Sequence, residues 1–217
     1  MLRDLVLWGA TGQARVLAEL LPDLGYRLVA VFDNTPAVVC PFKDVPFYVG
    51  EKGLQEWLAG GDRAGTACLV AIGGARGKDR LEILNRLKLA RLAPVVAIHP
   101  RAYVARHACV GEGGQILANA TVGEGAALGA ACIVNTAASV DHDCVLADGV
   151  HVAPGATLAG EARVGTCSFI AVGAVVLPRL RIGNHTIVGA GSVVTRDLPD
   201  GVVAYGNPAR VIRANLA

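Results

Sequence analysis

His142 stands between Asp141 and Asp143, and it is the one histidine of the chain's five with a carboxylate on each side. A carboxylate bonded to one ring nitrogen orients an imidazole and raises the basicity of the other, which is what a proton acceptor near neutral pH requires. The surrounding stretch, Asn135-Thr136-Ala137-Ala138-Ser139-Val140-Asp141-His142-Asp143-Cys144, is the densest polar run of the chain, and His151-Val152-Ala153-Pro154-Gly155 follows it. A lone surface histidine is ordinarily only solvated. A histidine held between two acids on a rigid face is a candidate general base.

The rigid face follows from a repeat. Every sixth residue from Val104 to Val194 is Val, Ile or Leu. Four residues after each stands a second inward position. It is small in most cases, such as Ala120, Ala126, Cys132, Ala138 and Cys144, with Val150 and Leu180 as departures. A period of six fits neither a helix nor a simple strand; it is the hexapeptide repeat of a parallel β-helix. Three hexapeptides close a coil of eighteen residues, and coils stack at about 4.8 Å. Ile98 starts the series one step early, and the rhythm fades at Leu198-Pro199. The branched residues are core, so function belongs to the outward positions.

Stacking places Gly160, eighteen residues after His142, directly over it, where a bare backbone N–H could serve as an oxyanion donor. Asn135 and His151, sixteen apart, share an edge of the prism. His151 is half a coil round from His142, so one subunit does not bring both into one pocket. A threefold trimer does, because each cleft joins different faces of neighbouring prisms. The expected site takes His142 from one subunit and Asn135 and His151 from the next.

The first hundred residues read differently. Leu5-Val6-Leu7-Trp8 is a buried strand, Gly9-Ala10-Thr11-Gly12-Gln13 a turn, and a helix pattern runs through Val16, Leu17, Leu20 and Leu21. A second strand ends at Asp33-Asn34, and a third closes on Gly73-Gly74. Strand, glycine turn, helix, strand and acid make a Rossmann-like half. The turn opens a helix whose free N–H groups favour a phosphate, and Asp33 lies where a ribose-binding acid belongs. The spacing is G-x-x-G rather than G-x-G-x-x-G, which suits a mononucleotide; the alternative is that the glycines only make a tight turn. The fold expected is an α/β Rossmann-like domain over residues 1–97, followed by a left-handed parallel β-helix with a C-terminal tail over residues 98–217.

The 217 residues carry a net charge of +2 with scattered Lys and Arg, which argues against a nucleic-acid partner. The mean hydropathy of +0.47 is high, yet no apolar run is long enough for a membrane span, so membrane insertion is not expected. The start, Met1-Leu2-Arg3-Asp4, leads into a strand rather than a signal peptide. The six cysteines lack CxxC spacing, which points to free thiols and a cytoplasmic protein.

The chain resembles the hexapeptide-repeat sugar acyltransferases of the sialic acid O-acetyltransferase-like family. Within it, the chain is similar to the acetyl-CoA-dependent N-acetyltransferases that act on nucleotide-linked 4-amino sugars. The resemblance runs over the whole chain and rests on Asn135-Thr136, Val140-Asp141-His142-Asp143-Cys144, His151-Val152-Ala153-Pro154-Gly155, Val188-Gly189-Ala190-Gly191-Ser192-Val193-Val194 and Gly206-Asn207-Pro208-Ala209-Arg210. It implies a left-handed β-helix, a homotrimer with CoA between adjacent helices, and an N-terminal domain holding the nucleotide of the acceptor. It gives His142 the role of base with Asp143 as its partner, Asn135 the sugar, His151 the acetyl-CoA, and the Gly160 amide the thioester oxygen. Gly189, Ala190, Asn207 and Pro208 fall to the cofactor, and Gly9, Gly12, Gln13, Asp33, Asn34 and Gly73 to the nucleotide sugar. The chain departs from the pattern at Gln13, where a histidine is usual. It departs again at Gly73-Gly74-Ala75, in place of Gly-Asn-Asn or Gly-Asp-Asn, and at Pro178-Arg179, in place of Pro-Gly.

The expected reaction is direct attack of a sugar amine on the thioester, with surface-glycan assembly as the implied setting. Cys144, a core position of the repeat, is excluded as a nucleophile. The closest rival is O-acetylation of a sialic-acid-like sugar. A zinc carbonic anhydrase on the same scaffold needs three converging histidines, and His142 and His151 lack ligand spacing; no metal is expected. A nucleotide-binding scaffold without catalysis is the third alternative.

Overall fold

A computed structural model describes residues 1–215. It divides into two compact units, one of Met1–Ile72 with Glu82–Ala97, the other of Gly73–Leu81 with Ile98–Ala217. The grouping of Gly73–Leu81 with the C-terminal unit differs from a single cut after residue 97.

In the first unit, β1 (Arg3–Trp8), α1 (Gly12–Leu20), β2 (Tyr26–Asp33), β3 (Phe47–Val49), α2 (Gly50–Ala59), β4 (Ala67–Val70), α3 (Gly77–Leu89) and β5 (Ala93–Pro94) follow in order, the first turn of α3 counting with the second unit. The sheet runs β3-β2-β1-β4-β5, and every pairing is parallel. β4 and the Leu5–Trp8 part of β1 are buried, as parallel strands covered on both faces must be. The chain reverses its direction of winding between β1 and β4, the point at which open α/β sheets form a crevice at their carboxyl ends. Gly9 lies there: a Cβ on it would stand 2.3 Å from the Ala71 carbonyl oxygen, so only glycine fits.

The second unit is a parallel β-helix. Its strands, of two residues each until the last two, stack into three sheets of 6, 5 and 8 strands. The first contains Ser139–Val140 and Thr157–Leu158, the second Val145–Leu146 and Arg163–Val164, the third Ile133–Val134 and His151–Val152. Each pairs with the strand eighteen residues on. Ile98 belongs to the stack: the His99 amide donates to the Ile116 carbonyl at 2.8 Å. The branched residues and their small partners form one core, with Val122, Val134, Val140, Val152, Leu158 and Val176 fully buried. Val104 and Val110, at the open first coil, are only partly buried.

The corners impose a backbone rule. Every sixth residue from Gly113 to Gly191 has a positive φ, and Asn119, Ala131, Ala137, Asp143, Glu161, Cys167, Arg179 and His185 adopt it without being glycine. A left-handed conformation costs a side-chain-bearing residue roughly 1–2 kcal/mol, which the stacked hydrogen bonds and core must offset at each corner. Arg179 thus makes the same corner that glycine would, and its Nε bonds Glu161 Oε1 at 3.0 Å. The rhythm ends because the last coil shortens: Ile187 pairs with Val203, sixteen residues on rather than eighteen. Val202–Gly206 then pairs antiparallel with Ala209–Ala214, closing the third sheet. No helix among the described residues is long and apolar enough to cross a membrane. All six cysteines are free thiols.

Candidate active site

His142 sits on the corner between the first and second sheets, two residues after inward Val140. Its ring is half exposed and bonds through Nδ1 to Asp143 Oδ2 at 2.9 Å. Its backbone N–H donates to Asp141 Oδ1 at 2.7 Å, so the first acid fixes the corner and the second fixes the ring. The hydrogen bond to Asp143 is the main cause that raises the His142 pKa above its ordinary value. Partial burial works against this, and the charges of Asp141, Asp143 and Glu161 add to it. With Nδ1–H donating to Asp143, Nε2 keeps a lone pair able to take a proton.

Gly160 stands over that ring. A Cβ on it would lie 2.4 Å from His142 Nε2, so any side chain here would displace the imidazole. Elsewhere in the stack, a side chain eighteen residues on accepts from the corner amide: Asp148 Oδ1 from the Ala130 N–H and Asn184 Oδ1 from the Thr166 N–H, both at 2.8 Å. The residue eighteen on from Gly160 is Pro178, which has no such oxygen. Among the described residues the Gly160 amide makes no hydrogen bond. A proton acceptor and a free amide donor therefore stand together, the pair that acyl transfer to a protonated nucleophile requires.

Asn135 and His151 form a second group at the edge between the third and first sheets, with Asn135 Nδ2 3.1 Å from His151 Nε2. The His151 ring is buried, its Nδ1 3.2 Å from the Gly74 carbonyl oxygen and its face tilted against Phe169. Burial and then the charge of Arg80 push its pKa down to about 4, against the pull of the Gly74 carbonyl. Among the described residues no hydrogen bond joins this group to His142, which lies at the other end of the Ser139–Val140 strand.

In the first unit, the Asp33 carboxylate accepts from the Ala10 N–H (Oδ2) and the Thr35 N–H (Oδ1), each at 2.9 Å. It ties the β1 turn to the end of β2. The N-cap of α1, Thr11, makes no side-chain cap, and the space beside Gly12 is open. Among the described residues, no cluster of His, Cys, Asp or Glu could hold a metal.

Neither protein-family models nor curated proteins gave a match. Solved structures did. The chain is 36% identical to perosamine N-acetyltransferase from Caulobacter crescentus, solved with CoA and GDP-perosamine, over 97% of both chains with a TM-score of 0.87. The chain belongs to the nucleotide-amino-sugar N-acetyltransferases. It is also 32% identical to the acetyltransferase domain of PglB from Neisseria gonorrhoeae, solved with acetyl coenzyme A, covering 98% of this chain and 100% of that one with a TM-score of 0.85. WeeI from Acinetobacter baumannii, at 23% identity and a TM-score of 0.79, shares the fold.

In this N-acetyltransferase the expected residues fall into separate groups. His142, Asp143 and Gly160 meet, as do Asn135 and His151. Gly9, Gly12, Gln13, Asp33 and Asn34 lie in the first unit and Gly73 in the second. Gly189 is covered by the Tyr205 ring, while Ala190, Asn207 and Pro208 are exposed. Sequence reasoning missed Arg80 and Gly74. Arg80, fully buried, bonds the carbonyls of Ala131 (3.1 Å), Gly149 (2.6 Å) and Gly74 (3.4 Å). Burial is the main cause that lowers its pKa to about 10. It reads as an ordinary polar residue of a helix, and only the left-handed corners at Ala131 and Gly149 turn carbonyls toward it.

Proposed function

We propose that the protein transfers acetyl from acetyl-CoA to the 4-amino group of a nucleotide-linked deoxysugar, in the cytoplasm, as a homotrimer of left-handed β-helices with Rossmann-like N-terminal domains. The observation that carries this is the His142 ring, bonded to Asp143 at 2.9 Å, with the free Gly160 amide above it. The amine loses its proton to His142 Nε2 as its nitrogen attacks the thioester carbon. The Gly160 N–H receives the charge that develops on the carbonyl oxygen; the C–S bond then breaks, and the leaving sulfur takes the proton back from His142, so that CoA departs as its thiol and the base is restored. Asp143 keeps the ring in the useful tautomer. Both substrates held in one cleft supply much of the remaining rate.

Asn135 of the neighbouring subunit contacts the sugar. Gly189, Ala190, Asn207 and Pro208 border the CoA, as the resemblance implies. The α1 N-terminus at Gly12 and Gln13 suits a phosphate of the nucleotide, with Gly9, Asp33 and Asn34 in the same unit; Gly73 falls to the nucleotide sugar by the resemblance alone. His151 stands apart from the implied CoA contacts, because both its ring nitrogens are engaged within the chain. Perosamine N-acetyltransferase is solved with a GDP-linked sugar, which favours the nucleotide-sugar acceptor over a free sialic acid.

The test is thiol release from acetyl-CoA with UDP-, GDP- and dTDP-linked 4-amino sugars. Rapid release with one of them, and acetylated product, is the expected result and names the nucleotide. Silence across the panel with CoA still bound moves the acceptor to a hydroxyl. Silence without CoA binding removes the enzyme reading.

A further inference from the structure

His151 has one proton arrangement that satisfies its neighbours. The Gly74 carbonyl 3.2 Å from Nδ1 can only accept, so Nδ1 carries the hydrogen. In the neutral ring Nε2 then holds a lone pair, and Asn135 must present its Nδ2 donor to it at 3.1 Å. The other end of the same carboxamide agrees independently: Asn135 Oδ1 accepts from the Thr136 N–H at 2.8 Å. The carboxamide is therefore fixed from both ends. What remains to it, among the described residues, is the second Nδ2 hydrogen.

We propose that His151 is a positioning residue for the acceptor: it clamps Asn135 so that the carboxamide offers the sugar one N–H donor, which a sugar hydroxyl oxygen accepts. The inference rests on the N-acetyltransferase reading with Asn135 as a sugar contact. It assigns His151 to the acceptor side of the reaction and not to acetyl-CoA. Arg80 supports the clamp from behind. By bonding the Ala131 and Gly149 carbonyls of two coils and the Gly74 carbonyl, it holds the segment that carries the acceptor for His151 Nδ1. Phe169, paired with His151 in the next coil, closes the ring face with centroids 5.2 Å apart.

Two measurements test this. Nitrogen-15 spectra of labelled histidine, assigned by the signals missing from His151→Gln, report the tautomer without any substrate. The clamp requires the Nδ1–H form at neutral pH and no protonation through the range where an ordinary histidine titrates. An Nε2–H form, or an ordinary titration, overturns it.

Kinetics then separate the two sides of the reaction. His151→Asn keeps a donor for Gly74 but loses the acceptor for Asn135. It should lower kcat/KM for the amino sugar about tenfold, with KM for acetyl-CoA within about twofold of wild type. His151→Gln, which restores an acceptor oxygen, should recover much of the loss. In an Asn135→Ala background His151→Asn should cost little more. A rise confined to the acetyl-CoA KM, or losses that multiply in the double variant, would refute the clamp. If no amino sugar turns over, the enzyme reading fails while the tautomer spectrum still decides the clamp.

Discussion

His142 and His151 stand nine residues apart on one repetitive scaffold, and the scaffold treats them in opposite ways. His142 is on a corner open to solvent, with an acid on each side and a pKa held above the ordinary value. His151 is on a flat face, covered by the segment at Gly74 and lined by Arg80, with a pKa pushed down to about 4. One ring is kept ready to accept a proton, the other is kept neutral with both nitrogens occupied. The repeat fixes only which way each residue points. What sits over the outward position decides the chemistry: the bare Gly160 above His142, and the segment that carries Gly74 and the buried Arg80 above His151.

The sharpest way to break the comparison is to remove the exposed ring. His142→Ala should lower kcat by about 10²–10⁴-fold, the range of a general base, while acetyl-CoA still binds. Turnover that recovers strongly at raised pH would reduce His142 to a helper. The same variant tests the shared site. Mixed trimers of His142→Ala with an inactive Asn135 variant should regain activity at about a quarter of their clefts, where an intact His142 faces an intact Asn135. If neither parent nor mixture turns over while wild type does, the two groups do not meet across subunits.

The second prediction concerns the free amide. Pro178→Asn places a side-chain oxygen where Asp148 and Asn184 cap the Ala130 and Thr166 amides. A capped Gly160 N–H cannot serve the oxyanion, so kcat should fall by about 10²-fold, the loss of one oxyanion donor, with both KM values little changed. An undiminished kcat in a folded variant would take the Gly160 amide out of the mechanism.

Much of this was legible in the sequence, for a physical reason. A period of six sets which residues face inward, and eighteen-residue stacking then places Gly160 over His142 and Asn135 near His151. Both juxtapositions are in the structure. The burial of His151 was not legible, because it depends on Gly73–Leu81, a segment outside the repeat that packs on the coil through Arg80. Periodicity carries no information about what covers an outward residue. The left-handed corner at Arg179 was hidden for a related reason: the stack enforces the backbone there even where the residue is not glycine. Asp33 was legible as an acid at the end of β2, but not its two backbone amide partners, which come from turns with no repeat behind them.

The smallest expected effect sharpens the contrast from the His142 side. Asp143→Asn replaces the charged acceptor of the hydrogen bond that most strongly raises the His142 pKa with a neutral one, and removes one of the three negative charges that assist it. The folded-state pKa must then fall toward the ordinary value. Because the base works unprotonated, kcat/KM rises as pH climbs through that pKa, and the acid limb should move to lower pH in the variant. A less basic imidazole also pulls the proton less strongly, so the plateau at high pH should drop, by about tenfold or less. The two effects oppose each other below neutrality and only the plateau difference remains above it, so the profiles should converge at acid pH and separate at alkaline pH. An acid limb that stays in place while the plateau falls would mean that Asp143 orients the ring without setting its basicity. The limb would then belong to another group, such as the amine of the substrate.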